Sequence, residues 1–488
     1  MSQPLAGATQ SLRMTLNEET QLYVPARRGG SRWRRWWRLG WRVSLVVTLL
    51  FTLLVLIWLR TALYHYWVLF PRQEESVLAL RDSARELGPL TSWKEYRGVI
   101  HSHSHLSHDS DVPFEEILGV LEETGTDFIA MSDHANGGIA DYGVQWRGIH
   151  GGKLFIPGFE MREGWMPLGL ESGSVLSNAM DHVELSRGVV DGGGMLFFVH
   201  IEEPRAWDEA ALRGLEIYNT HADLKDEKGG LFSLLPDLLV NQRRYPEQVF
   251  RSFFDVPEAN LARWDEMSRE RWLTGIGGND CHQNTGLKLV CIDADRLRLE
   301  DTSPEVLKEW ELNAFTRFVV RGIFGALEPG RVLFHLQLDP YARMARHVGT
   351  HVLARDLTEA EIMDALGAGR AFVAFDGLAD SRGFMWMAEA GGERVVMGEA
   401  VGWSEALVLR AVAPNLCRFV VMRDGEAVLE REGLELEWHP AVPGNYRVEA
   451  HVAVAGEWTP WVYSNPIRVT DAPAVAGVRG AVVMQRGL

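Results

Sequence analysis

The sequence predicts an α/β domain, followed by an all-β sandwich and preceded by one transmembrane helix, and three observations carry that expectation. Between residues 96 and 377, short apolar runs such as GVI, DFIAMSDH, KLFIPGFE and MLFFVH alternate with helix-like segments such as FEEILGVLEETG, the rhythm of a parallel sheet. After residue 378 the pattern becomes a period of two, in ALVLRAVA, RFVVMRD, LELEWH and YRVEAHVAV, with Gly, Pro and Asn turns between; this is the pattern of a small sandwich. Near the start, VSLVVTLLFTLLVLIWL (residues 43–59) carries no charge and is close to the shortest run that spans a bilayer.

Residues 1–42 form a basic tail, with eight arginines against Glu18 and Glu19 alone. The positive-inside rule keeps this tail in the cytoplasm. Residues 43–62 are the transmembrane helix, with Trp36, Trp37, Trp41 and Trp67 placed to sit at the two interfaces. The run is long for a signal peptide and no small-residue cleavage site follows it before Arg60, so the anchor is expected to stay uncleaved. The chain is then a single-pass protein of the inner (cytoplasmic) membrane with the lipid bilayer as its partner. Its body faces the extracytoplasmic side, the periplasm in a Gram-negative cell. Residues 63–95, including the amphipathic ESVLALRDSARELG, read as a stalk. Residues 96–377 form the α/β domain, residues 378–470 the sandwich, and residues 471–488 a tail without a clear period.

The totals exclude some functions. Arginines crowd the tail, so the remainder is more acidic than the net charge of −17 suggests, and an acidic body repels nucleic acid. Three cysteines, Cys281, Cys291 and Cys417, build neither a disulfide framework nor a C-x-x-C metal site. Protein partners and oligomeric state cannot be read from the sequence.

Chemistry concentrates where apolar runs end. VIHSHSHLSHDS, residues 99–110, holds four of the sixteen histidines. His101 and His103 are two apart, so on a strand they project from the same face and can share one metal ion. Asp133 and His134 follow FIAMS, Glu160 follows FIPGF, His200 follows MLFFV, and Asp280 and His282 follow GIGGN. Ligands at the carboxyl ends of parallel strands converge on one face. Nitrogen and oxygen donors without thiolates suit zinc, manganese or iron, one to three ions.

These motifs resemble the PHP superfamily, named for polymerase and histidinol phosphatase, whose members are metal-dependent phosphoesterases on a distorted (β/α)7 barrel. The family opening D-L-H-x-H-S-x-x-S-D corresponds to Val99 through His108, T-D-H to Ser132-Asp133-His134, G-x-E to Gly158-Phe159-Glu160, and G-x-D-x-H to Gly278 through His282. The strand LEIYN, residues 215–219, is also similar to the family's. LTEAEIMDALGAGRAFVAFDG and WVYSNPIRV resemble the CehA/McbA-like branch. The chain departs from the pattern at Gly173-Ser174-Val175-Leu176, where serine stands for the G-H-x-L histidine, and at His200, which lacks the following proline. At His108-Asp109 one of the pair is expected to reach the metals.

The resemblance implies metal ligation by His101, His103, His108 or Asp109, His134, Glu160, His200, Asp280 and His282. Glu160 would bridge cations, and Asp280 or His282 would shuttle a proton. Asp133 is expected to orient a neighbour, and His105 to be a bystander. His150 and His182 read as ordinary surface or loop residues, while His221 is a possible extra ligand and, like His182, a substitute for the lost G-H-x-L histidine. Arg162 and Arg205 are candidates to clamp a phosphate, and Trp146 and Trp165 to line a pocket. The expected function is a membrane-anchored metal-dependent phosphoesterase acting on an extracytoplasmic small-molecule or lipid-linked ester. The alternatives are hydrolysis of carbon esters such as carbamates, and a non-catalytic tethered binding protein.

Overall fold

The computed structural model describes residues 30–222, 231–300 and 306–471. Most of the basic tail and the segment after residue 471 lie outside the described residues. The chain divides into two units, Met1–Arg60 and Thr61–Leu488. The helix that starts in the first at Gly30 and runs to Tyr64 leaves most of its leucines, valines and tryptophans exposed, with Val55, Trp58, Leu59 and Leu63 half-buried. The helical stretch Trp33–Ser83 is long and apolar enough to cross a membrane, by length and composition.

The second unit is mixed α/β around one large sheet of eighteen strands, counted among the described residues. The segment expected as a stalk is packed within it. Phe70 and Val77 of the helix Phe70–Ser83 are buried in the core, and Ser76 Oγ accepts the Ala455 N–H at 3.0 Å.

Seven strands position the site: β1 (Lys94–Ser102), β2 (Phe128–Ala130), β3 (Lys153–Ile156), β4 (Trp165–Leu168), β5 (Met195–Phe198), β6 (Leu212–Asn219) and β7 (Thr274–Cys281). Parallel pairings give the order β3-β2-β1-β7-β6-β5, and β4 pairs antiparallel with β5. An isolated bridge between Gly158 and Leu168 then joins the residues after β3 to β4, which returns the order to its start. Most residues of these strands are buried, on both faces, as in a covered parallel sheet. Between β1 and β2 the helix Phe114–Thr124 buries Phe114, Ile117, Val120 and Leu121, begins with Glu115 and Glu116, and ends on Gly125 at φ 64°. Acidic residues at its start and a left-handed glycine at its end are the expected boundary signals.

Downstream, Ala371–Ala374 pairs with Gly349–Ala354 on one side and Glu457–Ser464 on the other, so the sheet continues into the C-terminal strands. There the period of two is visible: Leu409, Phe419, Val421, Tyr446 and Val448 are buried, while Arg410 and Arg418 pair outside with Glu435 and Glu430. Residues 286–337 depart from the expected strand–helix alternation. They insert a four-stranded antiparallel sheet, because KLVCID and RLRLE alternate around the turn at Asp293–Asp295 and make a hairpin.

Candidate metal centre

The carboxyl ends of the parallel strands deliver the expected donors to one place. His101 and His103 come from the end of β1, His134 and Glu160 from the short parallel pair that follows β2 and β3, His200 from beyond β5, and Asp280 and His282 from the end of β7. Two carboxylates occupy the middle. Glu160 Oε2 lies 3.4 Å from His101 Nε2, 3.6 Å from His103 Nε2 and 3.4 Å from His134 Nδ1, while Oε1 lies 3.2 Å from His200 Nε2. Asp280 Oδ1 lies 3.1 Å from His103 Nε2 and 3.2 Å from His282 Nδ1, and Oδ2 lies 3.5 Å from His200 Nε2.

Two donor groups result, His101, His103, Glu160 and Asp280 in one and His103, Asp109, His134 and His282 in the other, with donor atoms within 4.8 Å of one another in each. Asp109 joins the second group through Oδ2, 3.4 Å from His134 Nε2 and 3.3 Å from His282 Nε2. His108 does not belong to either group. It is exposed on the turn that brings Asp109 inward, its ring 5.0 Å from that of His134.

The residues fit a cation for a reason independent of motif. Four histidines have Nδ1 engaged outside the cluster or by backbone: His101 on Glu216 Oε1 at 2.6 Å, His103 on Ser107 Oγ at 3.0 Å, His200 on Glu202 Oε1 at 3.2 Å, and His282 on the Asp280 carbonyl at 3.0 Å. A donor at Nδ1 leaves the Nε2 lone pair facing inward, the arrangement of metal-bound histidines with oriented rings. The buried atoms His103 Nε2, His282 Nε2, Asp280 Oδ1 and Asp109 Oδ1 have no hydrogen-bond partner, a cost that a bound cation removes.

Electrostatics agree. Burial disfavours a charged His101, yet Glu216 and Asp280 outweigh it and hold its pKa up at about 10. Burial likewise works against ionised Glu160 and Asp280, and the surrounding histidines still hold both well below the usual carboxylate range. Burial and the neighbouring His282 push His103 well down. The cluster thus stabilises positive charge among its carboxylates.

Asp133 supports the cluster from outside. It accepts from Ser104 N–H at 2.6 Å, Ser107 Oγ at 3.2 Å and Gln145 Nε2 at 2.7 Å; Ser107 in turn holds His103 and the His134 N–H. Glu216, inside β6, was not among the expected residues. Its signal was a lone carboxylate in an apolar strand, since a buried charge needs partners. Gly278 makes room for it: a Cβ there would lie 1.6 Å from Glu216 Oε1.

Other expected residues stand elsewhere. Arg162 is exposed and donates to the Met180 carbonyl at 2.6 Å, whereas the buried Arg205 donates to the Val199 and Pro204 carbonyls at 3.1 and 3.0 Å and is engaged with backbone. Trp146 is sandwiched between Phe114 and His150, and Trp165 is buried; both serve packing. His105 is exposed against Phe114, and His182 pairs with Glu163 at 2.9 Å. Ser174 sits in a turn whose carbonyl accepts the Tyr142 N–H. The buried His221 places its ring 4.9 Å from that of His282.

No family model matches the chain, and no curated protein matches it. Among solved structures it is similar to a two-domain protein from Bacteroides vulgatus described as containing a predicted PHP-like metal-dependent phosphoesterase. The identity is 12%, the match covers 78% of this chain and 98% of that one, and the TM-score is 0.34. A likeness at that level bears on neither activity nor substrate.

Proposed function

We propose that the chain is a membrane-anchored, metal-dependent hydrolase of the PHP type, whose seven strands form a distorted barrel carrying the C-terminal strands as a sandwich, and which cleaves phosphate esters on the extracytoplasmic side. The observation that carries this reading is the pair of donor groups sharing His103, with inward lone pairs left without hydrogen bonds. Bound divalent cations would supply Lewis acidity and an ionised water near neutral pH.

The chain's own residues set the rest. Glu160 belongs to the first group and also approaches His134 of the second, its carboxylate lying 3.2–3.6 Å from His101, His103, His134 and His200, so it would serve as an anionic donor to bound cations. Glu160 and Asp280 stay ionised and therefore act as anionic donors, not as acids. His282, with Nδ1 on the Asp280 carbonyl and Nε2 3.3 Å from Asp109 Oδ2, would either hold a cation in the second group or, with that group empty, carry the proton. His200 and His134 are partly exposed and face the side from which an ester would enter.

One observation favours the second reading, hydrolysis at carbon. Arg205 is buried and engaged with the Val199 and Pro204 carbonyls, so one of the two arginines expected to meet a phosphate dianion is turned away from it, and a neutral ester needs none.

Metal content of the detergent-purified full chain, with turnover of p-nitrophenyl phosphate, its bis-ester, and carboxyl and carbamate esters, tests the proposal in wild type, His101→Ala and Asp280→Ala. Bound metal with phosphate-ester turnover, both lost in the variants, is the expected result. Metal with turnover of carbon esters alone selects the second reading. A metal-free, inactive wild type after zinc or manganese is supplied refutes catalysis and leaves a tethered binding protein.

A further inference from the structure

The inserted sheet of residues 286–337 orders its strands Val306–Glu311, Arg296–Glu300, Gly286–Asp293 and Val332–Gln337, and carries the helix Ala314–Phe324, capped by Asn313. The helix packs weakly: Val320, with Leu312 and Leu327, covers Cys291 and Leu297 of the sheet. Phe324 is half-buried, and four other apolar residues point away. Phe315, Phe318 and Ile323 are 74%, 77% and 69% exposed, and Val319 is exposed between them.

Positions 315, 318, 319 and 323 share one helical face. The helix has therefore turned its most apolar stripe to the outside. By register, Leu287, Trp310 and Phe334 stand on the helix-bearing face of the sheet, opposite Leu336, Leu297 and Leu289, and they too are exposed. Exposed apolar surface of this kind marks an interaction site.

Charge selects the occupant. From Leu312 to Leu327 there is no aspartate or glutamate, and the ionisable residues are Arg317 and Arg321, in a chain of net charge −17. Arg317 pairs with Asp295, and Arg321 is exposed in the last turn. The helix itself, an acid-free stripe of Phe, Val and Ile with Arg321 beside it, complements an anionic lipid surface and has the composition of helices that lie in the bilayer interface; Glu309 and Glu311 stand on the strand beside Trp310. The anchor reading, on which this inference rests, also keeps a bilayer within reach.

We propose that Ala314–Phe324 is a membrane-docking helix, with Phe315, Phe318 and Ile323 entering the headgroup–acyl boundary and Arg321 meeting anionic headgroups. Cys281, Cys291 and Cys417 are buried, so a thiol-reactive, environment-sensitive fluorophore reports from an introduced cysteine. The full chain, as Phe318→Cys and as Glu405→Cys in an exposed turn between C-terminal strands, is labelled and placed in nanodiscs containing phosphatidylglycerol and nitroxide-labelled acyl chains. The expected result is blue-shifted, lipid-quenched emission at 318 and water-like emission at 405. Adding Arg321→Gln should lower the docked-to-free ratio about fivefold. Water-like emission at 318 overturns the proposal, as does a shielded probe that lipid does not quench and that cross-links to a second copy. Carbonate extraction of cell membranes separates the two readings: release of the chain overturns the anchor and the docking with it, whereas a retained chain with a water-exposed probe overturns the docking alone.

Discussion

Replacing Glu216 with glutamine tests whether the metal centre depends on a carboxylate that touches none of the inward donor atoms. Glu216 Oε1 takes the His101 Nδ1–H at 2.6 Å, and Oε2 takes the His200 N–H at 2.8 Å and an Asn219 Nδ2–H at 3.0 Å. Glutamine keeps the shape, but its amide must face either His101 Nδ1 or the His200 and Asn219 donors. In the first orientation His101 switches tautomer and its Nε2 gains a hydrogen; in the second, donor faces donor. Losing a charge-assisted hydrogen bond costs about 1.5–3 kcal/mol, or roughly 10- to 100-fold in metal affinity, the range found when partners behind metal-bound histidines are removed. Chelator-competition titration of zinc into the detergent-purified chain reads this directly, with circular dichroism confirming the fold. Gly278→Ala, whose Cβ would displace Glu216 Oε1, should lower affinity in the same direction. Wild-type zinc affinity in a folded Glu216→Gln chain would refute the reasoning.

Three further outcomes follow from the geometry. Asp109→Ala should lower metal content by emptying the group it shares with His103, His134 and His282, while His108→Ala leaves metal content and turnover within about twofold, because His108 is an exposed neighbour; elemental analysis of both variants decides this. Arg205→Ala should lower Tm without raising KM, since its guanidinium holds the Val199 and Pro204 carbonyls, and a raised KM at unchanged Tm would instead place it on the substrate. His351 is buried, and although burial opposes its charge, Asp376 and Glu95 hold its pKa up at about 9 against an ordinary 6.5. Its stabilising contribution is therefore complete below about pH 6.5 and lost as pH rises through about 9, so Tm should fall across that window in wild type and fall less in His351→Gln.

The features legible in the sequence were those written in short spacing. His101-x-His103, the histidine or carboxylate closing each apolar run, and Asp280-x-His282 were legible as strand-end donors, and the structure gathers them, though His101, His200 and Asp280 leave the strand conformation at positive φ. What stayed hidden depends on turns and on pairing across the chain. Whether His108 or Asp109 faces inward is decided by one turn. The engagement of Arg162 and Arg205 depends on carbonyls that the fold brings near, and aromatic residues beside the motifs were as ready to pack as to line a pocket. The inserted sheet was hidden because its alternating strands lie within the stretch read as one strand–helix domain, and alternation alone does not say which sheet a strand joins. The packing of Phe70 and Val77 was hidden because an amphipathic helix shows which face is buried but not against what.

Glu216 also explains why the centre tolerates its own backbone. His101, His200 and Asp280 have φ of 62°, 49° and 49°, left-handed conformations that cost about 1–3 kcal/mol each for residues with side chains. Together they approach the whole stability of an ordinary domain, about 5–15 kcal/mol. Glycine would relieve the strain but brings no donor, so the strain must be offset locally. β6 lies between β5 and β7, and its register shifts between Glu216 and Tyr218. Such an irregularity re-aims side chains, and here Glu216 and Asn219, an odd number of residues apart, turn toward the same cluster. Glu216 holds His101 and the His200 N–H, and Asn219 Nδ2 reaches Asp280 Oδ2 at 3.4 Å. One irregular strand thus touches all three strained donors, so the same two side chains that hold the strain also fix where the donor atoms point.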